Sequence, residues 1–287
     1  MTVSSTCPQQ KALIAIFFIA FLAGCSVAKL AYNNFDWLLL RKVDAYLDLS
    51  PEQTIATRER LRQRLEEHRR HELPAYLDYL RRTRSMISDG LSSDEAQSIV
   101  RQGRALAETT VERTVPAIAE TLADISPTQI DHLEGHFAEV NREFRREFLP
   151  PSMRKRSMRR VRRTTSRIEY WTGALHQEQR ERVAQLRGDF PKNSEDWLSY
   201  NVAQQKRLLV RLREGADSKT LSDFLTGWWV RLEGRSPELE RKTDEALMAL
   251  TRLIVGVDDF LDSSQRRFLL WRLDSYIEQI EELIAGR

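Results

Sequence analysis

The chain has 287 residues, 41% of them hydrophobic and 30% charged, and 45 Lys and Arg against 42 Asp and Glu leave a formal net charge of +3. So small a net charge excludes attraction to polyanions through a whole-molecule field, and leaves local clustering as the only route to it. Only 11 Gly and 9 Pro stand beside many Leu, Ala, Glu and Arg residues, which favours helices over strands, and the length is enough for one large or two modest cores.

At the N-terminus Lys11 precedes an apolar stretch from Ala12 to Leu22, and Leu22-Ala23-Gly24-Cys25 follows. The stretch is shorter than the roughly 20 apolar residues of a membrane-spanning helix, and it ends in the small residues a signal peptidase requires. It resembles a bacterial lipoprotein signal peptide, matching the lipobox at all four positions. That resemblance implies that residues 1–24 are removed, that Cys25 is lipidated and tethers the chain to a membrane, and that residues 25–287 form a soluble helical region. Two or three acyl chains anchor stably where one is marginal. Ser26 stands where inner-membrane lipoproteins of Gram-negative bacteria carry Asp, which implies an outer-membrane, periplasm-facing location. Cys7 lies in the removed segment, so the mature chain would have no disulfide and no free thiol, and packing alone must hold it.

Beyond Cys25, apolar residues recur at three- and four-residue steps, as at Leu61 and Leu65, then Leu73, Tyr76, Leu77 and Leu80. This predicts an all-α fold, a multi-helix bundle of antiparallel helices joined by short turns, with residue 150 the expected meeting point of two subdomains. The expected helices cover 28–47, 51–88 with a bend at Pro74, 94–124 with Pro116 inside, 127–148, 153–173, 177–190, 195–214, 218–233, 237–257 and 263–285.

Three helix starts share one grammar: Leu49-Ser50-Pro51-Glu52-Gln53, Ile125-Ser126-Pro127-Thr128-Gln129 and Leu261-Asp262-Ser263-Ser264-Gln265. Each reads as a capping box, in which Ser or Asp accepts from an orphan N–H and Gln reaches back to the cap's own N–H. Pro at the first helical position suits two of them. Leu175-His176-Gln177-Glu178-Gln179 has the same outline with a poorer cap, and unequal spacings argue against a solenoid. The pattern is similar to the LTxxQ motif of Spy-type periplasmic chaperones, which would imply a client-binding chaperone or envelope-stress protein. Helix capping alone also accounts for it.

A second resemblance lies nearer the N-terminus. Tyr32-Asn33-Asn34-Phe35-Asp36-Trp37-Leu38, Asp44-Ala45-Tyr46 with Leu49 and Gln53, and Glu72-Leu73-Pro74-Ala75-Tyr76 look like a family of proteobacterial helical lipoproteins known only as a domain of unknown function. That resemblance implies a lipoprotein and an all-helical fold, and no activity.

No catalytic arrangement emerges. His132 and His136 are four residues apart, but Glu134 lies about 200° around the helix from His132 and cannot act as base beside a metal held by both. His68 and His71 sit among arginines that would repel a cation. There is no GxSxG elbow and no phosphate-cradling Gly loop, so the expectation is a non-enzyme with no metal and no cofactor. Paired acids such as Asp258 and Asp259, or Glu278, Glu281 and Glu282, read as solvated helix faces.

The most unusual composition is the run Arg154, Lys155, Arg156, Arg159, Arg160, Arg162, Arg163 and Arg167, with no acid between Pro151 and Ile168. Met158, Val161, Thr165, Ile168 and Thr172 give this basic helix an apolar stripe. It is a candidate site for an anionic lipid, an acidic wall polymer or an envelope protein; in a periplasm, nucleic acid is not an expected partner. The alternative is neutralisation inside the bundle by acids between Glu134 and Glu147 or by the C-terminal glutamates. Trp37, Trp228 and Trp229 are candidates either for the membrane interface or for the core. The reading as a whole is a non-enzymatic lipid-anchored outer-membrane lipoprotein with a binding or structural role in the envelope.

Overall fold

The computed structural model describes Tyr32 and residues 35–286, so the segment 1–24, Cys25 and Ser26 lie outside the described residues. Among the described residues there are eleven helices and no strand. They are α1 Phe35–Leu47, α2 Pro51–His71, α3 Leu73–Ser88, α4 Ser93–Ala123, α5 Pro127–Phe148, α6 Met153–Thr172, α7 Gln177–Gly188, α8 Ser194–Arg213, α9 Ser218–Trp229, α10 Pro237–Asp258 and α11 Ser263–Ile284.

The chain alternates between two compact units. The first takes residues up to Glu72, Ala107–Glu147 and Glu195–Arg235; the second takes Leu73–Leu106, Phe148–Ser194 and Ser236–Arg287. The units are therefore not two halves of the sequence. One passage between them falls at Glu147 and Phe148, another inside α4, and another at the junction of α2 and α3.

That last junction differs from the expected single helix over 51–88. Pro74 has no N–H and its ring collides with the carbonyl four residues back. The helix therefore stops at His71, Glu72 caps it with φ −115°, and α3 begins at Leu73. The helix expected to reach residue 233 ends instead at Trp229, because the chain turns through Leu232 at φ 54° and the Glu233 N–H returns to the Gly227 carbonyl at 2.8 Å.

In the second unit α11 packs on α3 and α6, and α7 packs on α6 and α10. Ile87, Leu91 and Leu273 form the buried centre, with Leu80, Met86, Ile99, Trp171, Ile254, Leu269 and Leu270 around them. Gly256 permits the close crossing of α10 and α7, since a Cβ there would lie 2.7 Å from Leu186 Cδ1. In the first unit α1 packs along α2, and Val115, Ala119, Leu122, Ile130, Leu133, Leu221 and Leu225 are all buried.

The four capping boxes do more than start helices: they meet in pairs, one pair in each unit. In the first unit Gln53 Oε1 accepts its own cap N–H from Ser50 at 2.9 Å, and Gln129 Oε1 accepts that of Ser126 at 2.9 Å. The two amides then bond to each other, with Gln129 Nε2 donating to Gln53 Oε1 at 2.7 Å. Each Nε2 also donates to the carbonyl five residues before its partner, Gln53 to Asp124 at 2.8 Å and Gln129 to Asp48 at 2.9 Å. The second unit repeats this atom for atom. Gln179 and Gln265 accept from His176 and Asp262, pair at 2.8 Å, and donate to Phe260 and Ala174 at 2.8 Å each. His176, the poorer cap, provides no side-chain bond to the first turn of its own helix, yet its glutamine holds the joint.

Gln129, Gln179 and Gln265 are buried, so a lost partner there is a lost hydrogen bond in a dry site. Gln129→Ala removes bonds to Ser126, Gln53 and Asp48 together, and at about 1 kcal/mol each it should cost about 3 kcal/mol in urea unfolding. The loss in a Gln53→Ala, Gln129→Ala double variant should fall well short of the sum of the singles. Additive losses below about 0.5 kcal/mol each would mean the amides are independent caps.

Candidate functional site

The basic run forms α6. Pro150 and Pro151 precede it, Ser152 Oγ caps it by accepting from the Lys155 N–H at 3.3 Å, and Gly173 at φ 81° ends it, its N–H bonded to the Glu169 carbonyl at 2.9 Å. The first turn contains no acid and carries Arg154 and Lys155. Cations at the positive end of the helix macrodipole cost a few tenths to about 1 kcal/mol each. Helix stability is therefore not what selects these residues.

The structure divides the eight cations. Arg154, Lys155, Arg162 and Arg167 are exposed, whereas Arg156, Arg159, Arg160 and Arg163 are half-buried. Arg156 Nε donates to the Pro150 carbonyl at 2.6 Å, and the Arg163 guanidinium lies 4.5 Å over the Phe148 ring. Val161, Thr165 and Ile168 are half-buried and Thr172 is buried, but Met158 is 60% exposed, so the apolar stripe begins at Val161. Met153 is also 54% exposed.

Several of the acids expected to neutralise α6 have partners elsewhere. Glu134 pairs with Arg213 at 2.5 Å and Glu143 with Arg146 at 3.7 Å. In the second unit Glu281 pairs with Arg81 at 2.5 Å; Asp274 and Glu169, which were not among those acids, pair with Arg84 at 2.5 Å and with Arg180 at 2.8 Å.

A buried polar centre in the first unit was not anticipated from the sequence. Arg64 and His68 on α2 and Glu72 at its C-cap recur every four residues along one face, and all three are buried. Glu72 pairs with Arg64 and accepts from Thr110 Oγ1 at 2.5 Å, with Arg113 at 3.7 Å. Arg64 Nε also donates to Thr114 Oγ1 at 3.2 Å. His68 Nδ1 lies 3.1 Å from the Tyr32 hydroxyl, and its Nε2 is 3.9 Å from Glu72. Burial pushes the His68 pKa down to about 4 against the opposing pull of Glu72, and burial raises Tyr32 to about 12. The four-residue spacing of three charged or titratable groups was the available signal, but a charged helix face usually points to water.

The other histidines have separate tasks. His132 Nε2 lies 3.3 Å from the Ala45 carbonyl, and His136 packs against Tyr46 with ring centroids 4.0 Å apart. Among the described residues no group of three His, Cys, Asp or Glu is placed to hold a metal ion. Trp228 is a core residue, 2% exposed, with Nε1 donating to Asn201 Oδ1 at 3.2 Å, while Trp37 is 47% exposed under the Arg41 guanidinium. A cavity of about 430 Å³ in the first unit is lined by Arg207, Arg211, Asp223, Phe224, Trp228 and Glu233 among others, two cations against two acids.

Among the described residues no helix is long and apolar enough to cross a membrane. No curated protein and no solved structure matches the chain. A family profile does match residues 45–227, more than half of the sequence, running from α2 into α9 and taking in the first glutamine joint, the buried centre apart from Tyr32, and the basic helix. The chain accordingly belongs to the family of unknown function DUF6279.

Proposed function

We propose that this chain is a non-enzymatic lipoprotein of the outer membrane, tethered through Cys25, facing the periplasm and binding anionic lipid head groups through α6. The observation that carries the reading is the exposed row Arg154, Lys155 and Arg162, set beside exposed Met153 and Met158 on a helix whose first turn has no acid. Each basic residue near an anionic membrane surface contributes about 1 kcal/mol, and apolar side chains between the cations add insertion. Exposed Trp37 and Leu38 on α1, the described helix that follows Cys25 in the chain, are side chains of the interfacial kind. Complete lipobox residues 22–25 support the anchor, and Ser26 supports the outer-membrane address.

Cys25→Ser is expected to abolish incorporation of labelled palmitate and leave precursor, and Ser26→Asp to move a substantial fraction to the inner membrane. Persistent labelling of Cys25→Ser would remove the anchor from the reading, and equal sorting of the native chain and its Ser26→Asp variant would remove the outer-membrane address.

For α6, purified protein should bind vesicles containing phosphatidylglycerol better than neutral ones, and lose binding as the Debye length contracts to about 3 Å at 1 M salt. Replacing exposed Arg154, Lys155 and Arg162 by Gln should remove that binding and change stability by less than about 1 kcal/mol per site. Unaltered vesicle binding by this variant would sink the lipid assignment. Indifference to vesicles combined with suppression of aggregation of an unfolded substrate would favour the Spy-type chaperone reading. The glutamines of the LTxxQ-like motifs are engaged in the two joints, so the motif adds nothing to that second reading.

A further inference from the structure

The cavity in the first unit has a volume of about 430 Å³, inside the roughly 300–1,000 Å³ of small-molecule sites and too large for a bare ion. The residues that line it run from Gln204 to Gly234, all within the single stretch Glu195–Arg235 of that unit, so α8, α9 and the turn after α9 build it by themselves. The turn is held firmly. The Glu233 N–H is bonded to the Gly227 carbonyl at 2.8 Å, and the Glu233 carbonyl accepts from Gln204 Nε2 at 2.7 Å and from the Tyr200 hydroxyl at 3.1 Å. Two glycines then make room for charged groups. A Cβ on Gly227 would lie 2.6 Å from Glu233 Oε2, and one on Gly234, at φ 77°, would lie 3.2 Å from Arg207 Nη1. Carboxylate and guanidinium thus rest against backbone that carries no side chain.

Charge pairing around the cavity is uneven. Asp223 is paired with Lys219 at 2.9 Å and Glu233 with Arg231 at 2.6 Å, and neither of those cations lines the cavity. Arg207 and Arg211, four residues apart on α8, both line it, and neither guanidinium meets an acid among the described residues. Like charges at this spacing weaken a helix. Arg211 lies 4.3 Å over the Phe224 ring and donates through Nη1 to the Arg207 carbonyl at 3.1 Å, while the Arg207 guanidinium makes no hydrogen bond among the described residues. Asp223 Oδ1 and Glu233 Oε2 likewise accept none among them. One concave surface therefore offers open donors and open acceptors together.

The four lining charges sum to zero, so a ligand of one sign would be attracted by two of them and repelled by two. A ligand carrying both signs complements all four. The arginine fork matches a carboxylate bidentately, and a carboxylate oxygen accepts from an ammonium. We propose that this cavity binds a small zwitterion, its carboxylate held by Arg207 and Arg211, its ammonium by Asp223 and Glu233, and its body against Phe224. Free amino acids and short peptides share this chemistry. The site is separate from α6 and does not depend on the lipid reading.

The test is isothermal titration calorimetry of purified full-length protein in non-ionic detergent, with alanine and with the dipeptides of alanine followed by alanine, phenylalanine, glutamate or lysine, each at millimolar concentration. At least one of the five should bind saturably. Amidating the carboxylate of the tightest ligand, or acetylating its amine, should weaken binding about tenfold or more, the scale of one lost charge-assisted hydrogen bond. Arg207→Gln should weaken the unmodified ligand as much and leave the amide no weaker, with an unchanged melting temperature because this exposed side chain has no partner to lose. Asp223→Asn should weaken the unmodified ligand and spare its acetylated form. Tighter binding of a dipeptide than of alanine assigns a peptide as the ligand; equal or tighter binding of alanine assigns a free amino acid.

Substitution of Arg154, Lys155 and Arg162 by Gln should leave this binding intact, so failure of the vesicle reading and failure of this site are read separately. Absence of saturable binding by all five ligands, or binding that keeps its native strength after Arg207→Gln or after amidation, would overturn the proposal.

Discussion

Glu72→Ala is expected to destabilise the protein by about 3 to 5 kcal/mol, the range for removing one partner of a buried ion pair. Glu72 and Arg64 side chains are only 4% and 8% exposed, so neither charge can be rescued by water when the other is removed. Arg64 Nη1 is already buried without a hydrogen-bond partner, and Thr110 would lose its acceptor as well. Glu72→Gln, which retains an acceptor oxygen but no charge, should lie between wild type and Ala. A combined Arg64→Met, Glu72→Leu variant should recover most of the loss, because desolvation of the pair consumes much of its attraction. The measurement is urea unfolding followed by far-UV circular dichroism. A loss below about 1 kcal/mol for Glu72→Ala would show that the carboxylate is not buried with Arg64 in solution.

Acid should destabilise the protein over a window set by His68. Its folded-state pKa is down at about 4, chiefly through burial, while an unfolded histidine titrates near 6.5. As pH falls below about 6.5 the unfolded chain takes up a proton that the folded chain refuses, so stability drops with falling pH and levels off below about 4. The gap between the two values corresponds to about 3 kcal/mol. Burial lowers His136 too, adding a slope of the same sign. Asp36, against its own desolvation, is held low by Arg58, the Trp37 backbone N–H and Arg62, so the stability it contributes is present above the ordinary carboxylate range and is lost only as pH falls below it. His68→Gln should therefore flatten most of the decline between about pH 6.5 and 4. An unchanged slope in that variant would place the titration elsewhere.

Much of the architecture was legible in the order of the residues because its causes are local. Helical spacing of apolar residues, scarce glycine, and a capping residue followed three positions later by glutamine are properties of short stretches, and α2, α5 and α11 begin within their capping boxes at Ser50, Ser126 and Asp262. The Pro74 effect was also local, though it divides the helix at Glu72 where a bend was expected. The basic run was visible for the same reason, since eight cations on twenty helical residues stand out without knowledge of the fold.

What the chain order did not reveal depends on residues brought together from far apart. Gln53 and Gln129 are 76 positions apart and Gln179 and Gln265 are 86 apart, so two joints read as four unrelated caps until the helices are packed. Arg64, His68 and Glu72 look like a solvated stripe, and only the approach of Tyr32, Thr110 and Thr114 turns that stripe into a dry polar centre. On α6 the periodicity could propose a face, but tertiary packing decides that Arg156, Arg159, Arg160 and Arg163 are half-buried while Arg154, Lys155, Arg162 and Arg167 are exposed. Burial is a property of neighbours, and it converts identical arginines into two chemically different sets.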